Sequence, residues 1–225
     1  MTAGSAVHPA RALTPPRAAA VAGVIFSLLM GVSLIVIRLA VPAYQNDSGV
    51  WLNDPSRRLA VRSAIQLVPF AGIAFLWFIG VLRNRLGTHE DQFFATVFLG
   101  SGLLFVGSLF ASAAFSGALV DVVVSRKIEV AQSETYFLTR LLIGACLNVF
   151  AIKMAGVFIV STSTIILRTG ILPRWISFSG YACAAVLLLA ITNWPWIALL
   201  FPVWMLVLSG RILLAEFGRS SQSAS

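Results

Sequence analysis

Charge is the first thing this sequence is short of. Only 11% of its 225 residues are charged, less than half of the roughly 25% found in ordinary soluble domains, and they are gathered in bands between apolar runs. Together with 59% hydrophobic residues and a mean hydropathy of +0.92, this excludes a soluble globular domain and places the chain in a bilayer. Acidic residues are scarcer still: there are eight, against sixteen Lys and Arg. Most of the acids fall in loops, and no HExxH, GxSxG, phosphate-binding loop or paired membrane aspartates occur. The common intramembrane hydrolytic chemistries therefore have no residues to work with. Cysteine is limited to Cys146 and Cys183, both inside apolar runs, where they read as small apolar residues. No disulfide framework or zinc spacing is available. The two histidines, His8 and His89, lie in a polar tail and a loop, which argues against haem or copper in the bundle. No metal and no cofactor is expected. Lysine is nearly absent, with Lys127 and Lys153 the two among sixteen basic residues.

The net charge of +8 and the pI near 10.8 would point to nucleic acid in a soluble protein. Here the arginines stand at the ends of apolar spans, so they read as topology signals and contacts to lipid headgroups. Membrane lipid is the expected partner, and nucleic acid is not.

What is present is a succession of long apolar runs. The expected fold is all-α, a six-helix transmembrane bundle whose third and fourth spans form a long helical hairpin. Residues 1–17 read as a disordered cytoplasmic tail ending at Pro15 and Pro16. Residues 18–217 form one transmembrane domain with spans at about 18–41, 59–82, 92–124, 136–168, 174–191 and 195–217, and residues 218–225 are a short tail. The first span follows seventeen polar residues and has no small-residue cleavage site after it, so it is expected to be retained rather than cut as a signal peptide. Gly23, Ser27, Gly31 and Arg38 share one stripe of that span, and small residues at such spacing let helices approach closely in lipid.

The loop from Pro42 to Arg58 contains Trp51, expected at the membrane interface. Span two carries Arg62 and Gln66 one turn apart and Pro69 inside it, where a proline bends a helix. Thr88 and Asp91 resemble a capping box with Asp in place of Glu. Spans three and four are too long for a hydrocarbon core of about 30 Å. Their joined ends, from Ser116 and including Asp121 and Arg140, are expected to stand outside the membrane. Gly170 reads as a helix C-cap and Pro173 as the first turn of the next helix. TNWPW reads as an uncharged turn between spans five and six, and Pro202 lies within span six.

Orientation follows from counting bases. With the N-terminus inside, eight arginines (Arg11, Arg17, Arg83, Arg85, Arg168, Arg174, Arg211 and Arg219) fall on the cytoplasmic side. Four bases (Arg57, Arg58, Arg126 and Lys127) fall outside. The positive-inside rule then puts both termini in the cytoplasm. The phrase LRTGILPRW, followed by the small-residue helix start ISFSGYA and preceded far upstream by the basic and small residues from Arg17 to Gly23, resembles a bacterial family of six-helix membrane proteins described as a domain of unknown function. The resemblance implies a six-span bundle in a bacterial inner membrane and no particular activity.

The residues that stand out are the charges that fall within spans. Lys153 lies in about twenty apolar or small residues, and an ammonium there costs about 2.5 to 3.5 kcal/mol on insertion scales. Asn148 lies near it. Under the cytoplasmic orientation Lys153, Asn148, Arg38, Arg62, Gln66 and Arg140 all fall in the outer half of the bilayer. The sharper expectation is an outward-opening basic cavity for an anionic or amphiphilic ligand: a lipid headgroup, a carboxylate or a small anion. The plainer one is that the arginines reach up to the interface and that Lys153 pairs with Asn148, a backbone carbonyl or a water. Ser161 and Thr164 either line a polar path or bond back to a helix. Two rivals accompany the binding reading: a structural protein docking a partner through the external hairpin, and an intramembrane enzyme using Lys153 as base or Schiff-base nucleophile.

Overall fold

In the computed structural model, residues 15–42, 47–86, 92–126, 133–189 and 196–222 are described. The Thr88 and Asp91 capping pair, most of the first tail and most of the TNWPW turn lie outside these residues. The described chain is helical throughout: α1 (Pro15–Ala40), α2 (Pro55–Leu86), α3 (Gln92–Arg126), α4 (Glu134–Gly144), α5 (Ile152–Thr169), α6 (Arg174–Leu189) and α7 (Leu200–Gln222), with short 3-10 turns at Val50–Asn53 and Ile197–Leu199. A π-helical segment, Ala145–Ala151, joins α4 to α5 without a break, so one apolar helix runs from Glu134 to Thr169. Five helices are long and apolar enough to cross a membrane, and α6 is a shorter apolar helix of 16 residues.

The centre of the bundle is aromatic. Phe26 of α1, Phe75 of α2, Phe105 of α3, Phe158 of α5 and Phe201 of α7 meet there, with ring centroids 4.7 Å apart for Phe26 and Phe75, 5.0 Å for Phe75 and Phe158, and 4.9 Å for Phe105 and Phe201. Lipid tails are as apolar as these rings, so their contact is favoured by dispersion and ring geometry rather than by escape from water. α6 contributes no ring to this cluster. It packs on α5 through small residues. A Cβ on Gly156 would meet Leu188, and one on Gly180 would meet the Ser163 hydroxyl and the Trp204 ring. The stripe read on α1 is used in the same way near its start: Gly23 lies against Ser209 and Phe78, and the buried Ser27 hydroxyl donates back to the Gly23 carbonyl at 2.7 Å. Further along, the buried Ser33 hydroxyl donates to the Ala64 carbonyl of α2 at 2.8 Å.

A second, separate core lies beyond the end of α1. It gathers Val41, Trp51, Leu52, Val61, Leu119, Val120 and Tyr136, from five stretches of chain. Trp51 is therefore not an interfacial anchor. It is 6% exposed, inside this second core, because its indole N–H is held there by the Tyr136 hydroxyl at 3.0 Å. The α3 and α4 ends thus share their core with the Val50–Asn53 turn and the start of α2. Gly170 ends α5 at φ 63°, the left-handed conformation that glycine adopts without strain.

The contact at Gly180 is testable. Gly180→Ala would place a methyl on the Ser163 hydroxyl, and overpacking of this kind costs about 1 to 3 kcal/mol. Thermal unfolding in detergent should show the loss, and Ser163→Gly added to Gly180→Ala should recover most of it.

Candidate functional site

The charges singled out in the sequence do not converge on one cavity. Each sits with a partner supplied by a particular helix end or loop. Lys153 projects from the first turn of α5, and its ammonium donates to the carbonyls of Leu188 and Leu187 at 2.6 and 3.1 Å. These belong to the last turn of α6, where the final carbonyls have no partner within the helix and carry the negative end of its dipole. Lysine is suited to this task, since three N–H donors on a long stem can reach two carbonyls of another helix. The plainer expectation for Lys153, a backbone carbonyl, is the arrangement observed. The serine and threonine run of α5 behaves similarly. Ser161 and Thr164 donate back to the Val157 and Val160 carbonyls at 3.0 and 2.9 Å, and Thr164 also meets the Tyr181 hydroxyl at 2.9 Å. Both hydroxyls are thereby engaged within the helix or across to α6.

The arginines lie toward the second core. Arg62 pairs with Asp121 at 3.6 Å on an exposed surface, a pair worth about 0 to 1 kcal/mol at most. Gln66 is exposed, one turn further along α2. Arg140 is more enclosed: it donates to the Pro42 carbonyl at 2.8 Å and approaches Asp47 at 3.8 Å, where the Asp47 side chain is 7% exposed. The second Asp47 contact is a hydrogen bond from the Tyr136 hydroxyl at 2.6 Å. Trp51, Tyr136, Asp47 and Arg140 therefore form one chain of polar contacts that clamps Pro42 and residues 47–54 onto α4. Asp47, Tyr136 and Trp51 were not singled out as site residues from the sequence. Their signal was a lone acid in a turn-rich loop (Asn46, Asp47, Ser48, Gly49), which by itself marks only a turn.

Arg38 differs from the others. It is half-buried at the end of α1, and its guanidinium has one hydrogen bond among the described residues, to the Asn148 side-chain oxygen at 3.5 Å. Arg140 is close enough for the two positive charges to repel. Asn148 lies in the π-helical segment, exposed together with Val149 and Phe150. A π segment widens the helix and is found most often at functional positions. Its structural reason can be read from the buried face. Tyr136, Arg140, Ile143, Leu147, Ala151 and Ala155 follow one another at spacings of mostly four residues, wider than the 3.6 of an α-helix, and the π turns keep them on one side.

Between the helices is a small, partly open void of about 10 Å³, lined almost wholly by apolar atoms of Met30, Phe105, Leu147, Ala151, Ile152, Ala155, Leu187, Ala198, Phe201 and Pro202. That is about the space of one water, and the basic residues are absent from its walls. Among the described residues no group of three His, Cys, Asp or Glu is placed to hold a metal. No family model matches the chain, and neither does any curated protein or solved structure.

Two substitutions separate these roles. Lys153→Met removes the cap from α6 and should lower thermal stability in neutral detergent with no ligand added, by about 1 to 3 kcal/mol for carbonyls left unpaired. Tyr136→Phe should cost a similar amount, about 1 to 3 kcal/mol, and should raise proteolysis in residues 47–54, since the indole N–H loses its acceptor and Asp47 loses one of its donors.

Proposed function

We propose that the chain is a six-span protein of a bacterial plasma membrane with both termini in the cytoplasm, and that it binds an anionic group where the end of α1 faces the π-helical segment. The observation that supports the binding reading is the state of Arg38. A guanidinium has five N–H donors, and here one long bond to a neutral amide stands against the repulsion of Arg140. An anion seated against Arg38 and Asn148 would accept charge-assisted bonds and offset that repulsion. Lys153 is not needed for the site, because the end of α6 already holds it. The reading is one of binding rather than catalysis.

The membrane placement draws on spacing. Arg17 to Arg38, and Arg62 to Arg83, are 21 positions each, and Asn148 to Arg168 is 20. At about 1.5 Å per residue this is roughly 30 Å, the thickness of a hydrocarbon core. α6, with 16 residues, would complete a sixth crossing with the turn that follows it, in line with the resemblance carried by LRTGILPRW. Orientation draws on charge. Arg17, Arg83, Arg168, Arg174 and Arg211 gather at the end where α1 and α6 begin. At the opposite end Arg57, Arg62 and Arg140 each have an aspartate. The end richer in arginine is the cytoplasmic one under the positive-inside rule.

A second reading is favoured by a different observation. The second core supports an extension built from the ends of α3 and α4, on which Leu138 and Leu141 are 61% and 71% exposed. A protein partner docked on this face would cover them. Leu141→Asp would then abolish cross-linking to a neighbour in native membranes and leave anion binding unchanged.

The binding reading is tested by native mass spectrometry of the purified protein with phosphatidylglycerol. The wild type should retain the lipid, Arg38→Gln should lose about tenfold in retention, equivalent to about 1.4 kcal/mol, and Lys153→Met should retain it. Undiminished retention by Arg38→Gln would remove the reading.

A further inference from the structure

We infer that the anion site has a second guanidinium, that of Arg140, and that it takes the terminal phosphate of a phosphate monoester, seated over Gly144 between the two arginines. The inference rests on the binding reading and gives its ligand a class. α1 packs on α2 and α7, while α4 and the π-helical segment pack on α3. Two arginines span the interval between these groups in opposite directions. Arg38 reaches from the last turn of α1 to the Asn148 side-chain oxygen at 3.5 Å. Arg140 reaches from α4 to the Pro42 carbonyl, just past the end of α1, at 2.8 Å.

The helix surface between these two bridges is open. Gly144, the last residue of α4, lies four positions after Arg140 and four before Asn148, and residues at that spacing are neighbours on a helix surface. Apart from its own helix backbone, a Cβ on Gly144 would meet among the described residues only the Asn148 side-chain nitrogen, at 3.8 Å. The Asn148 amide is thus divided: its oxygen accepts from Arg38, and its nitrogen, with two N–H donors, stands at the notch over Gly144. Both arginines also have donors to spare. The Arg38 bond uses Nη2, and the contacts of Arg140 with Pro42 and with Asp47 both use Nη2 as well. Nε and Nη1 of each stay uncommitted among the described residues. The two guanidinium charges repel, and Asp47, which already accepts from the Tyr136 hydroxyl, offsets one of them. A carboxylate has two oxygens in one plane. A terminal phosphate has three acceptor oxygens and about −1.5 to −2 charges at pH 7, so it can answer Arg38, Arg140 and Asn148 with one oxygen each. Arginine forks match phosphate geometry. A phosphodiester, with two free oxygens and one charge, would leave one of the three donor groups unmet.

The test uses the full chain in neutral detergent, reads retention in native mass spectrometry and the rise in melting temperature, and takes three probes: phosphatidic acid, phosphatidylglycerol with the same acyl chains, and glycerol 3-phosphate. Phosphatidic acid, a monoester, should bind at least about tenfold more tightly than the diester phosphatidylglycerol, a difference of about 1.4 kcal/mol. Glycerol 3-phosphate binding as tightly as phosphatidic acid would support a soluble monoester as the ligand, and weaker binding would support a lipid. Arg140→Gln and Gly144→Leu should each bring phosphatidic acid down to the level of phosphatidylglycerol. Gly144→Leu fills the notch, leaves both arginines in place and raises helix propensity, so it should melt no lower than the wild type without ligand. Asp47→Asn loosens the clamp on residues 47–54 and leaves the three donor groups intact, so it should keep the preference for phosphatidic acid. Equal binding of the two lipids by the wild type, or an undiminished preference in Arg140→Gln or in folded Gly144→Leu, would overturn the inference and leave the anion site at Arg38 standing. Undiminished retention of both lipids by Arg38→Gln would overturn the anion site itself.

Discussion

In hydrocarbon a polar group has no water to turn to, so every charge and every free helix end must be answered by another part of the same chain. The bond from Lys153 to the last carbonyls of α6 answers two such demands at once. The ammonium loses its desolvation penalty to two carbonyl dipoles, and the end of α6 loses its orphan acceptors. α6 contributes no ring to the aromatic centre and lies mainly on α5, through Gly156 and Gly180 and through the buried Ile176, Ala184 and Leu187. Lys153 is therefore as much a part of how α6 is held as those glycines are.

The same requirement orders a second polar group. Asp47, Tyr136, Trp51 and Arg140 close a chain of polar contacts, two hydrogen bonds and an ion pair, over the second core, and each member reduces what another would cost if left unpaired. Arg38 stands at the edge of this arrangement with its demand met by one amide oxygen. We propose that the anion site lies there, where Arg38 has this one amide and the charge of Arg140 nearby. The π turns beside it matter for the same reason, because they hold Asn148 outward while Leu147 and Ala151 stay turned to the interior.

Much of the fold was legible in the residues. Apolar runs bounded by arginine marked a chain of long apolar helices, because a span must be apolar for its whole length and its ends must not be. Gly170 and Pro173 marked the turn between α5 and α6 for stereochemical reasons that hold in any context. The site was less legible. Lys153, Asn148, Arg38, Arg62, Gln66 and Arg140 are close in depth, and reading them as one group followed from depth alone. Which of them touch depends on the rotation of each helix about its axis, and hydropathy carries no information about that rotation here. Trp51 was placed at the interface because tryptophan often is, whereas the Tyr136 hydroxyl drew it into a core.

From the chain of letters alone came the membrane, the helices, their ends and the excess of base on one side, since each of these depends on one residue and the solvent around it. The partners of Lys153 and Arg140, the second core and the π turns around Asn148 were decided by the folded arrangement. A hydrogen bond between Lys153 and Leu188 joins residues 35 positions apart, and only the packing of α5 on α6 brings an ammonium and a carbonyl to 2.6 Å.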